Sequence, residues 1–315
     1  MQIELMWTLV LQVFIPLMLL VGAGGMWPRW FPDITATQLR LQLNRLGLYL
    51  FVPALMFSIA ASAQISVSLL AVPLLMASSI LLVSGVLYLL LYRTPLGRNI
   101  EPRTRAVFVL AGAFGNIMFI GLPVLSFLFP HGSQYPAFAD VMAGTPLVWT
   151  LGVWIASRLG GHADGARPPF FSTVLRLPPF WAFVLGISAN LAGLNPPWLI
   201  DATHLIGQPT VPVMMMLLGA AIPWHDLRPT RPVLLMAGVK LVLMPLLTLT
   251  LAHVLFGRLN EPIVAAILEA AMPSMVVVLV ISERFHLDTA TAGLLTGWTT
   301  VLMWLTLPAW IAYLT

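Results

Sequence analysis

Long apolar stretches separated by short polar segments make up most of this chain. A helix crosses the hydrocarbon core of a bilayer with about 20 apolar residues, and ten stretches come close to that length. They cover residues 6–26, 43–62, 67–92, 106–128, 138–158, 178–194, 202–222, 231–256, 262–282 and 290–313. Lipid cannot satisfy backbone N–H and C=O groups, so only helices or closed barrels span it, and these stretches lack the alternation of barrel strands. The pattern predicts an all-α integral membrane protein with ten transmembrane helices, which we call spans 1 to 10.

The overall composition supports the membrane assignment and removes several kinds of site. Hydrophobic residues make up 59% of the chain and charged residues only 8%, against about 25% charged residues in soluble domains. The sequence contains no cysteine, which excludes disulfides and thiolate metal sites. The first residues, MQIELMWTLV, include neither a basic segment nor a small-residue cleavage site. We therefore interpret them as the beginning of span 1 rather than as a signal peptide.

The basic residues predict how the spans are oriented. All but two of the 15 lie in alternate loops or at their edges; the exceptions are Arg258, in a loop of the other set, and Lys240, inside span 8. Loops rich in Lys and Arg face the cytoplasm, which places both termini outside and favours an even number of spans. We expect a multi-pass protein of the plasma (bacterial inner) membrane. The net charge of +4 arises in loops and gives no reason to expect a nucleic-acid partner.

The two halves of the chain share short patterns in the same order. The matches are GRxxEP at 97–102 and 257–262, Val-Pro at 52–53 and 211–212, and Trp-Thr at 149–150 and 298–299. Because each half would hold five spans, an odd number, the second half would be inverted relative to the first, as in many secondary transporters. We expect two inverted five-helix repeats, 1–158 and 178–315, joined by a short cytoplasmic linker over 159–177.

Spans 4 and 9 contain residues that break helices. Span 4 carries Gly115, Asn116 and the Gly121–Pro123 segment, and span 9 carries Pro273. Proline removes a backbone donor and glycine permits non-helical angles, so each span can split into two half-helices. The freed backbone groups are tolerated in a membrane only against protein or water. If the two breaks cross near the bilayer centre, the half-helix N-termini would offer N–H groups to a carboxylate.

This crossing is the predicted substrate site. The Asn116 amide offers two donors and an acceptor, with which it would bridge the crossing and contact a solute. The predicted substrate-binding residues are Gly115, Asn116, Ile117, Gly121, Pro123, Pro273, Ser274 and Met275. Structural interpretations stay open: a mid-span Asn can join helices for about 1 kcal/mol, and Gly121 can be a close-packing glycine. Pro53 and Pro212 are expected to shape their own helices.

Two ionisable residues are predicted well inside the spans, apart from His253 towards the outer end of span 8. They are Lys240 in span 8 and Glu269 in span 9. A charge at the centre of a membrane helix costs at least about 2.5–3.5 kcal/mol, so each should face protein or water. Glu269 is a candidate for proton coupling; alternatively it pairs with Lys240 or accepts hydrogen bonds from amides freed at the break. Lys240 is also a candidate for attracting a substrate anion.

Four motifs occur in order along the chain. They are Asn44-Arg45 followed by Val52-Pro53, Asn116 followed by Gly121-Leu122-Pro123, Lys240 with Pro245, and Ala271-Met272-Pro273-Ser274 followed by Glu283-Arg284-Phe285. Together they resemble the auxin efflux carrier family, which includes the plant PIN carriers and bacterial homologues linked to small organic acids. The resemblance covers nearly the whole chain.

The resemblance implies ten helices in two inverted repeats, with spans 4 and 9 broken and crossed. It implies a scaffold of spans 1, 2, 6 and 7, and a transport domain of spans 3–5 and 8–10 that moves like an elevator. Anionic substrates and a homodimer are implied as well. The scaffold side of the site would be lined by Asn44, Pro53, Pro212 and Met215. Some plant members carry a second proline after the break in span 9, where Val276–Val280 is apolar here.

We therefore expect a secondary transporter of a small organic anion, in the first instance a carboxylate. Two alternatives remain: an ion-coupled antiporter that uses Glu269 with a proton or sodium, and a non-transporting membrane receptor that uses the same pocket. The sequence contains no Walker loop, HExxH or GxSxG motif, so neither ATP-driven transport nor hydrolysis is expected. We expect no cofactor and no enzyme activity.

Overall fold

The structure is a computed structural model that describes residues 4, 7–8, 10–67, 69–130, 132–159, 178–222, 224 and 227–314. Within these ranges the regular elements are all helical, and no strand is present beyond a single isolated β-bridge. This confirms the predicted all-α class for the described part of the chain. The predicted linker over 159–177 lies outside the described residues except for its first position.

Twelve helices can be followed along the described residues, besides a 3-10 turn at Pro95–Gly97. They are α1 (Val10–Trp30), α2 (Ala36–Ser62), α3 (Ala71–Arg93), α4 (Pro102–Ala113), α5 (Ile117–Leu128), α6 (Gln134–Arg158), α7 (Pro178–Leu191), α8 (Pro197–Ala221), α9 (Arg231–Phe256), α10 (Glu261–Ala270), α11 (Val277–Arg284) and α12 (Thr289–Leu314).

Seven of the described helices are long and apolar enough to cross a membrane: α1, α2, α3, α6, α8, α9 and α12. They overlap predicted spans 1, 2, 3, 5, 7, 8 and 10. Span 4 is divided between α4 and α5, and span 9 is divided between α10 and α11. Span 6 corresponds to α7, which has 14 residues. The chain is thus a helical, multi-pass membrane protein in which two of the predicted spans are interrupted.

Several helices widen into a π-helical turn just before a proline. The wide turns are Val10–Phe14, Gly47–Phe51, Leu89–Arg93, Ile117–Gly121, Asp140–Gly144 and Val239–Leu243, and each ends two residues before a proline. The proline ring pushes against the carbonyl four residues earlier, which lies in the middle of the wide turn. A turn with one extra residue relieves this clash while the helix continues. Pro53, Pro123 and Pro245 therefore reshape α2, α5 and α9 without ending them.

The chain divides into two compact units. Unit 1 consists of Met1–Ser66, Met118–Ala137 and Phe171–Ile222, and unit 2 of Val67–Ile117, Phe138–Phe170 and Pro223–Thr315. Unit 1 thus holds α1, α2, α7, α8 and most of α5. Unit 2 holds α3, α4, most of α6, and α9 to α12.

In unit 1 the helix α8 packs against α1 and α2, and α2 also packs against α7. The backbones of α1 and α8 touch at two glycines. A side chain on Gly24 would overlap the Met216 carbonyl, and one on Gly219 would overlap the Val21 carbonyl. Membrane helices have no hydrophobic drive to associate, so small residues that let backbones approach hold them together by close packing.

The C-terminal end of α2 is capped by two asparagine side chains of unit 1. The Asn190 amide donates to the carbonyls of Ala60 and Ala63, at 3.0 and 2.9 Å, and the Asn195 amide donates to that of Ala61 at 2.9 Å. The last carbonyls of a helix have no partner within it. These hydrogen bonds give the carbonyls at the end of α2 the partners that the helix itself cannot provide.

In unit 2 the helix α3 packs against α4, α9 and α10, while α12 packs against α4 and α9. Two hydroxyl contacts tie these helices together. The Thr248 hydroxyl bonds that of Ser79 at 2.9 Å, which joins α9 to α3. The Thr104 hydroxyl donates to the Asp288 carboxylate at 2.7 Å, which joins α4 to the residue that precedes α12. The interrupted helices are therefore held in a packed interior.

Candidate functional site

The two interruptions meet inside unit 2. Helix α4 ends at Ala113 and α5 begins at Ile117, while α10 ends at Ala270 and α11 begins at Val277. The extended residues between them run antiparallel, with Gly115 opposite Ser274. Spans 4 and 9 are thus broken where the glycine and proline residues predicted, and the breaks pair with each other.

Backbone hydrogen bonds at this crossing use amides that the sequence analysis expected to be free. The Asn116 N–H donates to the Pro273 carbonyl at 2.7 Å, and the Met275 N–H donates to the Phe114 carbonyl at 2.9 Å. These two amides therefore bind the opposite break, so they are not free to face a carboxylate. The N–H groups of Val278 and Leu279, at the start of α11, donate to the carbonyls of Met275 and Val276 at 3.1 and 3.0 Å. The first N–H groups of α5 have no carbonyl partner within their own helix.

Ser274 holds the crossing to its neighbours. Its N–H donates to the Thr299 hydroxyl at 3.1 Å, and its own hydroxyl donates to the Ala111 carbonyl at 2.7 Å. Ser274 and Thr299 are both fully buried. The bonds connect the break in span 9 to α12 and to the last turn of α4, so Ser274 fixes the backbone geometry of the crossing.

The Asn116 side chain lies at the crossing without a hydrogen-bond partner for its amide nitrogen among the described residues. Asn116 as a whole is only 1% exposed. Leaving a buried donor unsatisfied costs about 1–3 kcal/mol, so such a group in a native structure calls for an explanation. A ligand that accepts a hydrogen bond would supply the missing partner.

Lys240 lies against both breaks. Its Nζ donates to the Ala270 carbonyl at 2.7 Å and contacts the Met244 sulfur at 3.2 Å. A Cβ on Gly115 would lie 3.2 Å from the same Nζ. The ammonium group therefore caps the C-terminal, partly negative end of α10, where a cation is stabilising, and Gly115 leaves room for it.

Glu269 is fully buried, one residue before the end of α10. Neither of its carboxylate oxygens has a hydrogen-bond partner among the described residues. Two of the alternatives left open for Glu269, a pair with Lys240 and hydrogen bonds from freed amides, are therefore not present in this structure. The physical reason is that the Lys240 ammonium binds the helix-end carbonyl next to Glu269, and the freed amides bind the opposite break.

Asp140 is a buried acid that the sequence analysis missed. It opens the wide turn Asp140–Gly144 of α6, it is 8% exposed, and its Oδ2 accepts a hydrogen bond from the Thr145 hydroxyl at 2.9 Å. Its Oδ1 has no partner among the described residues. The residue stands near the start of predicted span 5, so its position inside an apolar run was the available signal.

The remaining predicted site residues fall in unit 1. Gly121 and Pro123 lie on α5, Asn44 and Pro53 on α2, and Pro212 and Met215 on α8. Met215 is fully buried, whereas Pro212 is exposed. Unit 2 thus contains Gly115, Asn116, Ile117, Lys240, Glu269, Pro273, Ser274 and Met275. The other predicted site residues belong to unit 1.

The family of the chain follows from comparison with known proteins. The profile of the family described as "Membrane transport protein" matches residues 5–169 and 170–311, which together are almost the whole chain. This chain belongs to that family, the auxin efflux carrier family. The resemblance read from the motifs is thereby confirmed, and the family is one of transporters rather than enzymes.

Two archaeal proteins are similar along most of their length. An uncharacterized transporter of Methanothermobacter thermautotrophicus is 30% identical over 276 residues, covering 85% of this chain and 87% of its own. An uncharacterized transporter of Methanocaldococcus jannaschii is 24% identical over 259 residues, covering 78% of this chain and 80% of its own. The paired breaks of this family member therefore lie in a membrane transport protein.

Proposed function

We propose that this family member is a secondary carrier of a small organic anion, in the first instance a carboxylate, in the plasma membrane. The observation that carries the proposal is the buried Asn116 amide, which has no hydrogen-bond partner among the described residues and stands where two broken helices pair. Broken helices that cross inside the membrane are typical of substrate sites in secondary transporters. The Asn116 amide and the first amides of α5 would donate to the carboxylate.

The site would combine these donors with a nearby cation. Lys240 lies beside Gly115 and contributes positive charge to this part of unit 2. An anion attracted by Lys240 would compete with the Ala270 carbonyl for its N–H groups. In this proposal Gly121 and Pro123 belong to the substrate-binding residues, and the scaffold side is lined by Asn44, Pro53, Pro212 and Met215.

The proposed mechanism is an elevator-like motion of spans 3–5 and 8–10 against a scaffold of spans 1, 2, 6 and 7. The division of the chain supports it, because unit 1 holds spans 1, 2, 6 and 7, while unit 2 holds spans 3 and 8–10. Residues 118–137 are an exception: they belong to unit 1, whereas the proposal assigns spans 4 and 5 to the moving transport domain.

The ten-helix arrangement belongs to the same proposal. Counting α4 with α5 and α10 with α11 as one crossing each, together with α7, gives ten passages and two inverted repeats of five. Both termini would then lie outside, as the basic loops indicate. We propose a homodimer on the family resemblance alone.

Uptake into liposomes tests the substrate site. Purified protein is reconstituted and assayed with a panel of radiolabelled mono- and dicarboxylates, and a matching panel of neutral solutes. Asn116→Ala should remain folded, but its rate of carboxylate uptake should fall at least about tenfold. The reason is that the carboxylate loses a hydrogen-bond donor that has no partner in the protein. Asn99→Ala, which removes an exposed amide from a loop, is the matched control and should transport normally.

Counterflow separates a carrier from a receptor. Liposomes loaded with unlabelled carboxylate should accumulate the labelled form through exchange. Saturable binding without counterflow would favour the non-transporting receptor, and wild-type uptake by Asn116→Ala would remove the crossing from the substrate site.

A further inference from the structure

The loop that joins α3 to α4 carries four of the 15 basic residues of the chain. They are Arg93, Arg98, Arg103 and Arg105, and we call residues 93–105 the arginine loop. The loop of the other half that shares its GRxxEP pattern, 257–262, contains only Arg258. The positive-inside rule accounts for the sign of the charge in such a loop, but it depends on the number of basic residues and not on how they are arranged. The arrangement therefore needs an explanation of its own.

Contacts within the arginine loop and with the end of α3 hold it in one compact shape. A Cβ on Gly97 would overlap the Leu91 carbonyl, so the two backbones touch. The Tyr92 hydroxyl donates to the Pro102 carbonyl at 3.2 Å. The Arg105 guanidinium donates to the Leu91 carbonyl at 3.4 Å, so this arginine is used to fold the loop back on α3.

The other three arginines follow directly after residues that make these contacts, and all three are exposed. Among the described residues Arg93 and Arg98 have no ion pair, and Arg103 has only Glu101, at 4.0 Å. Both side chains of that pair are more than half exposed, and such a pair contributes little. The Arg93 guanidinium lies 6.0 Å from the centre of the Tyr88 ring, a contact that uses none of its hydrogen-bond donors for an acid. The three guanidinium groups are therefore available to an anion from outside the protein.

The loop begins at the edge of the lipid-facing surface. Leu89 and Leu90, in the last turn of the transmembrane helix α3, are 56% and 39% exposed, and Leu96 in the loop is 70% exposed. Arg93 comes three residues after Leu90, which is about 5 Å along a helix. Arginines this close to lipid-facing leucines lie at the depth of the lipid headgroups.

Two acids contact the arginine loop, and they do not neutralise it. Glu101 lies within the loop, and the Asp288 carboxylate accepts a hydrogen bond from the Thr104 hydroxyl. Four arginines against two carboxylates leave a net positive charge. A guanidinium group binds phosphate oxygens with paired hydrogen bonds, and basic clusters next to a transmembrane helix attract anionic lipids.

We propose that the arginine loop is a binding site for the headgroup of an anionic phospholipid, with Arg93, Arg98 and Arg103 as the phosphate-binding residues. A soluble phosphate offers the same oxygens. The exposed Leu89, Leu90 and Leu96 favour the lipid, because its acyl chains would cover them while its phosphate binds the arginines. The inference goes beyond the proposed carrier function and does not depend on it.

Thermal unfolding of the purified, full-length protein in a neutral detergent tests the site. The protein is titrated with short-chain phosphatidylglycerol, with phosphatidylcholine of the same chain length and with glycerol phosphate. A ligand of the folded state raises the unfolding temperature, so phosphatidylglycerol should raise it to a plateau and the other two should not. In the combined variant Arg93→Gln, Arg98→Gln and Arg103→Gln, the half-saturating concentration of phosphatidylglycerol should rise at least about tenfold. Arg105 stays in place because it holds the shape of the loop.

A matched control separates a site from general charge attraction. The combined variant Arg158→Gln, Arg228→Gln and Arg258→Gln removes the same charge from exposed positions elsewhere, and its half-saturating concentration should stay within about twofold of the wild type. If the loop variant does not fold, Arg98→Gln alone should still weaken binding about threefold.

Three outcomes would overturn the proposal. Equal stabilisation by phosphatidylglycerol and phosphatidylcholine would mean that the loop does not select an anionic headgroup. Stabilisation by glycerol phosphate as strong as that by phosphatidylglycerol would assign the loop to a soluble anion. Equal weakening in the loop variant and in the control variant would mean that net charge alone attracts the lipid. Selective weakening in the loop variant supports the site, whether or not the protein transports a carboxylate.

Discussion

At the scale of single residues, the space beside the first break is shared by Lys240 and Gly115. The Lys240 ammonium reaches the Ala270 carbonyl at 2.7 Å and passes close to the Gly115 backbone. A lysine is stabilised at a helix C-terminus by the partial negative charge there. Lys240 thus has a structural role that holds the half-helix α10 in place, whatever it does for a substrate.

This contact predicts that Gly115→Ala lowers stability. The added methyl group would lie 3.2 Å from Nζ and 3.4 Å from Cε of Lys240, so the ammonium must shift away from the carbonyl. A hydrogen bond to a charged group contributes about 1.5–3 kcal/mol, and part of this should be lost. Thermal unfolding of the purified protein measures it. Gly85→Ala on α3, where a Cβ meets no atom within 4 Å, is the matched control.

A double-mutant cycle identifies the cause of this destabilisation. In a Lys240→Met background the ammonium is gone, and Gly115→Ala should then cost clearly less than in the wild type, because interacting residues give non-additive effects. Equal costs in both backgrounds would mean that the Gly115 methyl group disturbs the crossing itself and not the lysine.

At the scale of helices, the start of α12 depends on one carboxylate. Asp288 Oδ1 accepts from the Thr291 N–H at 3.0 Å, and Oδ2 accepts from the hydroxyls of Thr291 and Thr104 at 2.6 and 2.7 Å. Partial burial alone would raise the pKa of Asp288, but the hydrogen bonds from Thr291 and Thr104 outweigh it and hold the pKa below the usual value. Asp288 thus joins the α12 N-terminus to α4 in its ionised form.

The lowered pKa predicts a loss of stability in acid. A carboxyl with a lower pKa in the folded state contributes stability that is fully present above the pKa of the unfolded chain, about 3.9 for Asp, and disappears as the pH falls through the folded value. Asp288→Ala should lower the unfolding temperature at pH 7, since losing such a cap costs about 0.5–2 kcal/mol. The difference in unfolding temperature between this variant and the wild type should become smaller below about pH 4. A difference in unfolding temperature that stays constant with pH would contradict this role. The same pH-dependent difference in Asp201→Ala, on the exposed face of α8, would contradict it as well.

Helix breaks were predictable from sequence because their causes are local. Proline and glycine act on the backbone within one turn, so Gly115 and Pro273 marked the interruptions without knowledge of the fold. Their partners were not predictable, because the bond from Asn116 to Pro273 joins residues far apart in the chain. A pair between Lys240 and Glu269 stayed open as an alternative, since the sequence shows charge but not the Ala270 carbonyl that binds the lysine. Asp140 was missed because it lay near the edge of an apolar run.

At the scale of the whole molecule, the proposed function requires that the crossing be reached from both sides of the membrane in turn. The chain has no cysteine, so single cysteines can be introduced without background. Met275→Cys lies at the crossing in unit 2, while Asp201→Cys and Asn99→Cys lie at exposed positions. In the proposed orientation, Asp201 lies outside and Asn99 lies in the cytoplasm.

Labelling with a membrane-impermeant maleimide then tests the elevator. Asp201→Cys should react only from outside and Asn99→Cys only from the cytoplasmic side, which checks the topology. Met275→Cys should react slowly from either side, because a moving transport unit exposes the crossing alternately, and a transported carboxylate should slow both reactions. If Met275→Cys reacts from one side alone while the two controls behave as expected, the crossing does not change sides. Transport through this chain would then need a fixed pathway in place of a moving unit.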